Sequence, residues 1–323
     1  MKRKMVLVVV LLFVLVFAMS TQVNAAGTWT KQTSGTKNDL HGVRFVNTSN
    51  GWAVGAGGAI LHTTNGGATW KKQTSGTTND LWSVYFINAK TGWVVGDNGT
   101  VLKTANAGAT WTPPQTSGTS NALYSVYFIN AKTGWAAGNA GTILHTANGG
   151  KTWTAQSSGT NDFFKTVQFV NANTGWAVGG AGNARHTTNG GTTWTAQNLG
   201  TTVGIYGSYF TDTNNGWVAG NGGTIRHTTN GGTTTWTAQS SGTPSFLLSV
   251  HFVNTNTGWA AGSNGAIIHT INGGATWTKQ ASGTTKDLLS TDFVNANTGW
   301  AVGMGGIILK YRDTTKGAAA TMK

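Results

Sequence analysis

The sequence predicts an all-β fold, a seven-bladed β-propeller with four antiparallel strands per blade, in which the N-terminal strand closes the last blade. Three observations predict it. A Gly-Trp pair recurs every 41 or 42 residues, ending at Trp52, Trp93, Trp135, Trp176, Trp217, Trp259 and Trp300. A Thr-Trp pair keeps the same period, ending at Trp29, Trp70, Trp111, Trp153, Trp194, Trp236 and Trp277. The two series are out of phase at the chain ends. Repeats of this length that hold four short strands are propeller blades.

The unit at 81–112 shows each element. Leu81–Asn88 is a run of β-branched, aromatic and alternating residues, and it ends in the polar turn Ala89–Gly92. Trp93–Gly96 is a second strand and Asp97–Gly99 turns it. Thr100–Thr104 is a third, Asn106–Gly108 turns again, and Thr110–Thr112 opens a fourth. Short β-rich runs bounded by Asn, Asp and Gly read as antiparallel strands with tight turns.

The phase at the ends sets the closure. Thr28-Trp29 precedes any complete unit, and the unit that starts at Leu288 runs through Ile307–Lys310 with no Thr-Trp after it. Gly27–Thr33 should therefore supply the outer strand of the last blade. That pairing removes an open sheet edge and makes the blade number seven.

Composition bounds the rest. The chain has 323 residues, 48 Gly, 15 Trp and 12 Phe, which is ample apolar surface for one large β domain. It has no Cys, so disulfides and thiolate metal sites are excluded. All eight acids are Asp. Residues 1–25 read as a secretory signal peptide. Lys2, Arg3 and Lys4 precede the apolar run Val6–Ala18, and Val23-Asn24-Ala25 offers a cleavage site after Ala25. The propeller is expected at 26–313, with a flexible tail at 314–323. Removing the leader takes three cations and no acid, so the formal charge falls from +13 to +10. That charge favours acidic partners. Without a basic run outside the leader, nucleic acid is not expected.

The turn before each Thr-Trp reads Thr63-Thr-Asn-Gly-Gly-Ala-Thr-Trp70 in the first unit. It resembles the Asp-box of bacterial neuraminidase repeats, with Asn in place of the usual Asp. Only Asp313, in the truncated last copy, keeps the acid. The whole unit resembles the photosystem II stability/assembly factor family across nearly all of residues 27–313. That resemblance implies a propeller that binds a reaction-centre subunit as an assembly chaperone through a basic patch. Arg185 and Arg226 are the nearest candidates for such a patch, and they read equally well as outer-surface residues.

Most chemistry-bearing residues follow the repeat and so read as scaffold. Sialidase chemistry needs a Tyr nucleophile with a Glu partner, and there is no Glu. Asp39, Asp80, Asp162 and Asp287 are taken to share one position before the first strand, as turn residues. His62, His145, His186, His227 and His269 share a third-strand position with Lys103 and Lys310. Equivalent residues on adjacent blades are about 10 Å apart, too far for one metal ion. No metal or cofactor is expected. Phe45 and its six counterparts, with the two Trp series, should pack blade against blade.

The informative positions vary between units. After the first apolar residue of the innermost strand stand His41, Trp82, Tyr124, Lys165, Tyr206, Leu248 and Leu289. Three residues on stand Arg44, Tyr85, Tyr127, Gln168, Tyr209, His251 and Asp292. Drift at tolerant positions would give such variation, and so would a binding face written onto identical frames. The partner-binding set is taken as His41, Arg44, Trp82, Tyr85, Tyr124, Tyr127, Lys165 and Tyr206, ringing the central mouth. The expectation is an exported, monomeric, non-catalytic propeller, secreted or periplasmic. Its partner would be a protein or an anionic envelope polymer, with a membrane surface also possible. The alternative is a secreted glycoside hydrolase or carbohydrate-binding protein of sialidase-like type.

Overall fold

A computed structural model of the chain describes residues 27–112, 117–234 and 236–313. The expected leader with its cleavage point and the tail at 314–323 lie outside the described residues. The first blade is Leu40–Phe45, Gly51–Gly55, Ala59–Thr63 and Lys71–Gln73, antiparallel in that order. The same order holds in the blades that begin at Leu123, Phe164, Ile205 and Leu247. In the blade that begins at Leu81, three strands are described. There the Thr112 N–H donates to Lys103 O at 2.9 Å, where a fourth strand would start.

The ring closes as the phase of the repeats requires. Thr28–Gln32 pairs antiparallel with Ile308–Arg312, with Trp29 opposite Tyr311. The first strands of all seven blades neighbour one another around the axis.

The core lies between blades, one apolar cluster per seam. Trp52 is fully buried and stacks on Phe86 of the next blade at 3.5 Å, while His62 covers its other face at 4.6 Å. Its Nε1 donates to Ala107 O at 3.1 Å, so the ring also carries a polar link across the seam. Trp300 repeats this on the first blade, stacking on Phe45 at 3.4 Å and donating to Gly66 O at 3.2 Å. The shared His/Lys position is thus a lid over the Trp: where His is replaced, the Lys310 ammonium lies 5.3 Å from the Trp300 ring centre. The Gly of each Gly-Trp pair has a steric cause, because a Cβ on Gly51 would collide with the Phe45 ring.

The turns keep their own hydrogen bonds. Asn65 Oδ1 accepts the Thr69 N–H at 2.9 Å, and its Nδ2 donates to Thr69 Oγ1 at 2.9 Å. These turns share one end of the propeller with the loops between first and second strands, where the Gly66 N–H donates to Ser49 O at 2.8 Å. At the opposite end the Ala56 N–H donates to Asp39 O at 2.9 Å, joining the second turn of a blade to the loop before its first strand.

One expectation about the acids needs correction. Asp39, Asp80 and Asp287 do share a position, and each carboxylate accepts an N–H from the preceding blade: Gly305, Gly57 and Asn264 respectively, at 2.6, 2.8 and 2.9 Å. Asp162 sits one residue earlier in its unit. Phe163 holds the equivalent place, its carbonyl accepting the Gly180 N–H as Asp39 O accepts from Ala56. The loop before that strand hides the offset, because Asp-Phe-Phe offers two candidate first apolar residues.

Candidate functional site

Every first strand carries a β-bulge at its second residue. Leu40 pairs with Gly55 and Gly42 with Val54, which leaves His41 as the extra residue. The same irregularity falls at Trp82, Tyr124, Lys165, Tyr206, Leu248 and Leu289. A bulge breaks the strict in-out alternation and re-aims a side chain. Leu40, Val43 and Phe45 stay in the core, while His41, Gly42 and Arg44 line the axial channel. All eight residues singled out from the sequence line one cavity of about 580 Å³ at the end that carries the bulges.

At the mouth, one half of the wall is aromatic and basic. His41 stacks on Trp82 at 4.2 Å and donates from Nδ1 to Leu81 O at 3.1 Å. Trp82 meets Tyr124 edge-on at 5.4 Å, and its Nε1 donates to Asp97 Oδ1 at 2.6 Å. The Lys165 ammonium lies 4.4 Å from the Trp82 ring centre and 4.7 Å from that of Tyr124. Burial pushes the Lys165 amine down to about 8 although Asp97 opposes the shift. Burial also lowers the pKa of His41 and raises that of Tyr124. Tyr206 continues the wall, and Leu248 and Leu289 complete the circle as an apolar arc.

Deeper in the channel stand Arg44, Tyr85 and Tyr127, with Tyr209, His251 and Asp292. Arg44 Nη1 donates to Asp292 Oδ1 at 3.2 Å, and its guanidinium lies over the Tyr85 ring at 4.8 Å. Burial works against the charge of Arg44, but the Asp292 carboxylate, joined by Tyr85, Tyr209 and Tyr127, holds the pKa above the ordinary value. Asp292 is buried, and its Oδ2 accepts the Phe45 N–H at 2.6 Å. Gln168, at the same repeat position, brackets the backbone of Phe210 by accepting from its N–H and donating to its carbonyl. Asp292 and Gln168 are therefore seam residues as well as channel residues. His251, with Nδ1 3.6 Å from Asp292, is pushed down to about 4 by burial. Burial also raises the phenols, that of Tyr209 to about 12.

The structure adds two residues to the set. Asp97 fixes the Trp82 indole, and Phe163 lies edge-on to Tyr124 at 6.3 Å. A sequence signal existed for Asp97, which is the only acid at a turn position otherwise held by Ala56, Asn139, Gly180, Asn221, Ser263 and Met304. Arg185 and Arg226 do not reach the mouth. They lie on third strands and bind backbone carbonyls of the preceding linker, Arg185 Nε to Ser158 O at 2.7 Å and Arg226 Nη2 to Gly200 O at 2.8 Å.

Comparison with known proteins bears on this arrangement. No curated protein sequence matches the chain. Among similar solved structures, one described as YCF48 bound to D1 peptide is 23% identical, with a TM-score of 0.75 over 88% of this chain and 97% of that one. YCF48 from Cyanidioschyzon merolae is also 23% identical, with a TM-score of 0.74 over 89% and 99%. An inactive virginiamycin B lyase from Staphylococcus aureus with quinupristin gives a TM-score of 0.75 at 12% identity over 89% and 99%. At these identities the structures share the fold with this chain. The family model is decisive. That of the Photosynthesis system II assembly factor YCF48 matches residues 21–114, 74–159, 114–205, 154–241 and 210–312. With the match running through all seven blades, the chain belongs to the Photosynthesis system II assembly factor YCF48 family.

Proposed function

We propose that this propeller is a non-catalytic binding protein that captures a polypeptide at its central mouth. The observation that carries the reading is the aromatic and basic arc at five of the seven bulge positions, on a frame that is otherwise repeated. Aromatic side chains beside a cation are the types in which binding energy concentrates at interfaces. Trp82 is the one Trp outside the two repeat series, so the seams do not need it. The family relation and the D1 peptide in the solved YCF48 complex support a protein as the partner class. The formal charge of +10 that remains without the three leader cations of the full chain's +13 favours an acidic segment of it. The basic leader at Lys2–Lys4 supports export, which would place a monomeric chain in the periplasm or outside the cell.

The glycosidase alternative is less well supported. Two ionisable acids would have to work as a pair. Asp292 is committed to Arg44 and the Phe45 amide, and Asp97 to the Trp82 indole. The test is a pull-down from the host's envelope fraction, with Trp82→Ala/Tyr124→Ala as the comparison. A polypeptide retained by the wild type and lost by the variant supports the reading. Equal retention, or retention of a non-protein polymer only, overturns it.

A further inference from the structure

The lower tier of the channel has an excess of donors. Arg44 carries five N–H donors. Among the described residues only Nη1 has a partner, Asp292. Nε is buried with no acceptor in reach. The side chain as a whole is 31% exposed and lines the channel, so the guanidinium keeps donors to spare beyond the one that Asp292 takes. A guanidinium takes a planar carboxylate through two parallel N–H···O hydrogen bonds, a fork that an ammonium cannot reproduce.

The surroundings select the same chemistry. Tyr85, Tyr127 and Tyr209 bring phenol groups around Arg44, and the raised pKa values of Tyr127 and Tyr209 keep those hydroxyls protonated. Asp292, the one carboxylate among the described residues that line the cavity, has both oxygens engaged. The space above the guanidinium is the 580 Å³ cavity, with Leu248 and Leu289 on one side and the Trp82 group on the other. Arg44 is three residues down the strand from the mouth position of His41, a depth of about 10 Å.

Resting on the reading of the mouth as a binding site, we propose that the channel floor is a carboxylate receptor. Arg44 takes the carboxylate, and the ligand's apolar body lies between Leu248, Leu289 and the aromatic half-ring. The terminus of an extended polypeptide and a free amphiphilic acid both present this chemistry.

Calorimetric titration of the purified protein tests the proposal with two matched pairs: 4-phenylbutyrate and its amide, and N-acetyl-Leu-Leu-Phe with a free or an amidated terminus. Both acids should bind, and each amide should bind at least about tenfold more weakly. Arg44→Gln should bring the acids down to the level of the amides. Arg44→Lys keeps a cation for Asp292 but loses the fork, so it should fold and still lose acid affinity. If Arg44→Gln does not fold, Arg44→Lys decides. A peptide acid at least about tenfold tighter than phenylbutyrate identifies a chain terminus as the source, and equal affinity identifies a free acid. Failure of both acids to bind, equal binding of acid and amide, or wild-type acid affinity in the folded Arg44 variants overturns the receptor. If partner capture is at the same time lost in Trp82→Ala/Tyr124→Ala, the mouth reading stands without it.

Discussion

The Lys165 ammonium stands 4.4 Å from the centre of the Trp82 indole, although the two residues belong to blades two apart in the ring. The contact reaches past Tyr124 of the blade between them and joins the Lys165 cation to the one Trp that the seams do not use. Trp82→Ala with Tyr124→Ala should abolish partner capture and leave the thermal midpoint nearly unchanged. The matched pair Trp135→Ala and Trp176→Ala should instead unfold the protein. Both of those rings are fully buried, and truncating a buried Trp costs about 3–5 kcal/mol. Capture and thermal melts on the two double variants separate mouth from scaffold. Unfolding of the first pair, or normal capture by it, removes the mouth as the site.

The same cation sets a pH dependence. With its amine lowered to about 8, Lys165 carries its charge at pH 7 and loses it as pH rises through that value. Capture of an acidic partner should therefore weaken between pH 7 and 9 in the wild type. In Lys165→Met it should be weak throughout, without that step. A wild-type profile that stays flat, or one that Lys165→Met does not change, excludes Lys165 from binding.

Acid should loosen the seams. Burial lowers the pKa of His62, His145, His186 and His227, and that of His269 to about 4. The unfolded value is about 6.5, so protons bind the unfolded chain more readily. The stabilisation held by the neutral rings is complete above that value and is lost as pH falls from it toward 4. The thermal midpoint should drop over this window, and His269→Gln should make the drop smaller. A midpoint that holds from pH 7 to 4 contradicts this account.

Closure through the N-terminal strand has its own test. Trp29 is buried against Phe293 and Tyr311, and its strand pairs along its whole length with Ile308–Arg312. Deleting Gly27–Thr33 should open that edge and lower the thermal midpoint of the entire ring. Removing residues 315–323 serves as the comparison and should change little. An unchanged midpoint in the first deletion means that the strand is dispensable.

Asp292 tests the non-catalytic reading. In a broad glycan screen the wild type should turn nothing over. Activity that disappears in Asp292→Asn would identify an enzyme. The stability effect is separate: Asp292→Ala strands Arg44 and the Phe45 amide, and removing one partner of a buried ion pair costs about 3–5 kcal/mol. Chemical denaturation should show that loss, with a smaller one for Asp292→Asn.

The sequence by itself determined the frame. Trp52 and its counterparts repeat because each must fill the same seam, and a constraint imposed seven times is written seven times. The place of Trp29 outside any complete unit gave the closure, and departure from the repeat marked His41, Trp82 and Lys165 as channel candidates. The tertiary structure decided what those residues do to each other. The bulge after Leu40 leaves no residue signature, since it arises from pairing with the second strand, yet it turns both His41 and Gly42 to the axis. Arg44 and Asp292 are 248 positions apart and meet only because the ring closes. The curvature of the ring places Lys165 over Trp82, two blades away. Periodicity reports constraints within a blade and across one seam. Contacts across the channel depend on the diameter and rotation of the whole ring, and no local stretch of chain encodes them.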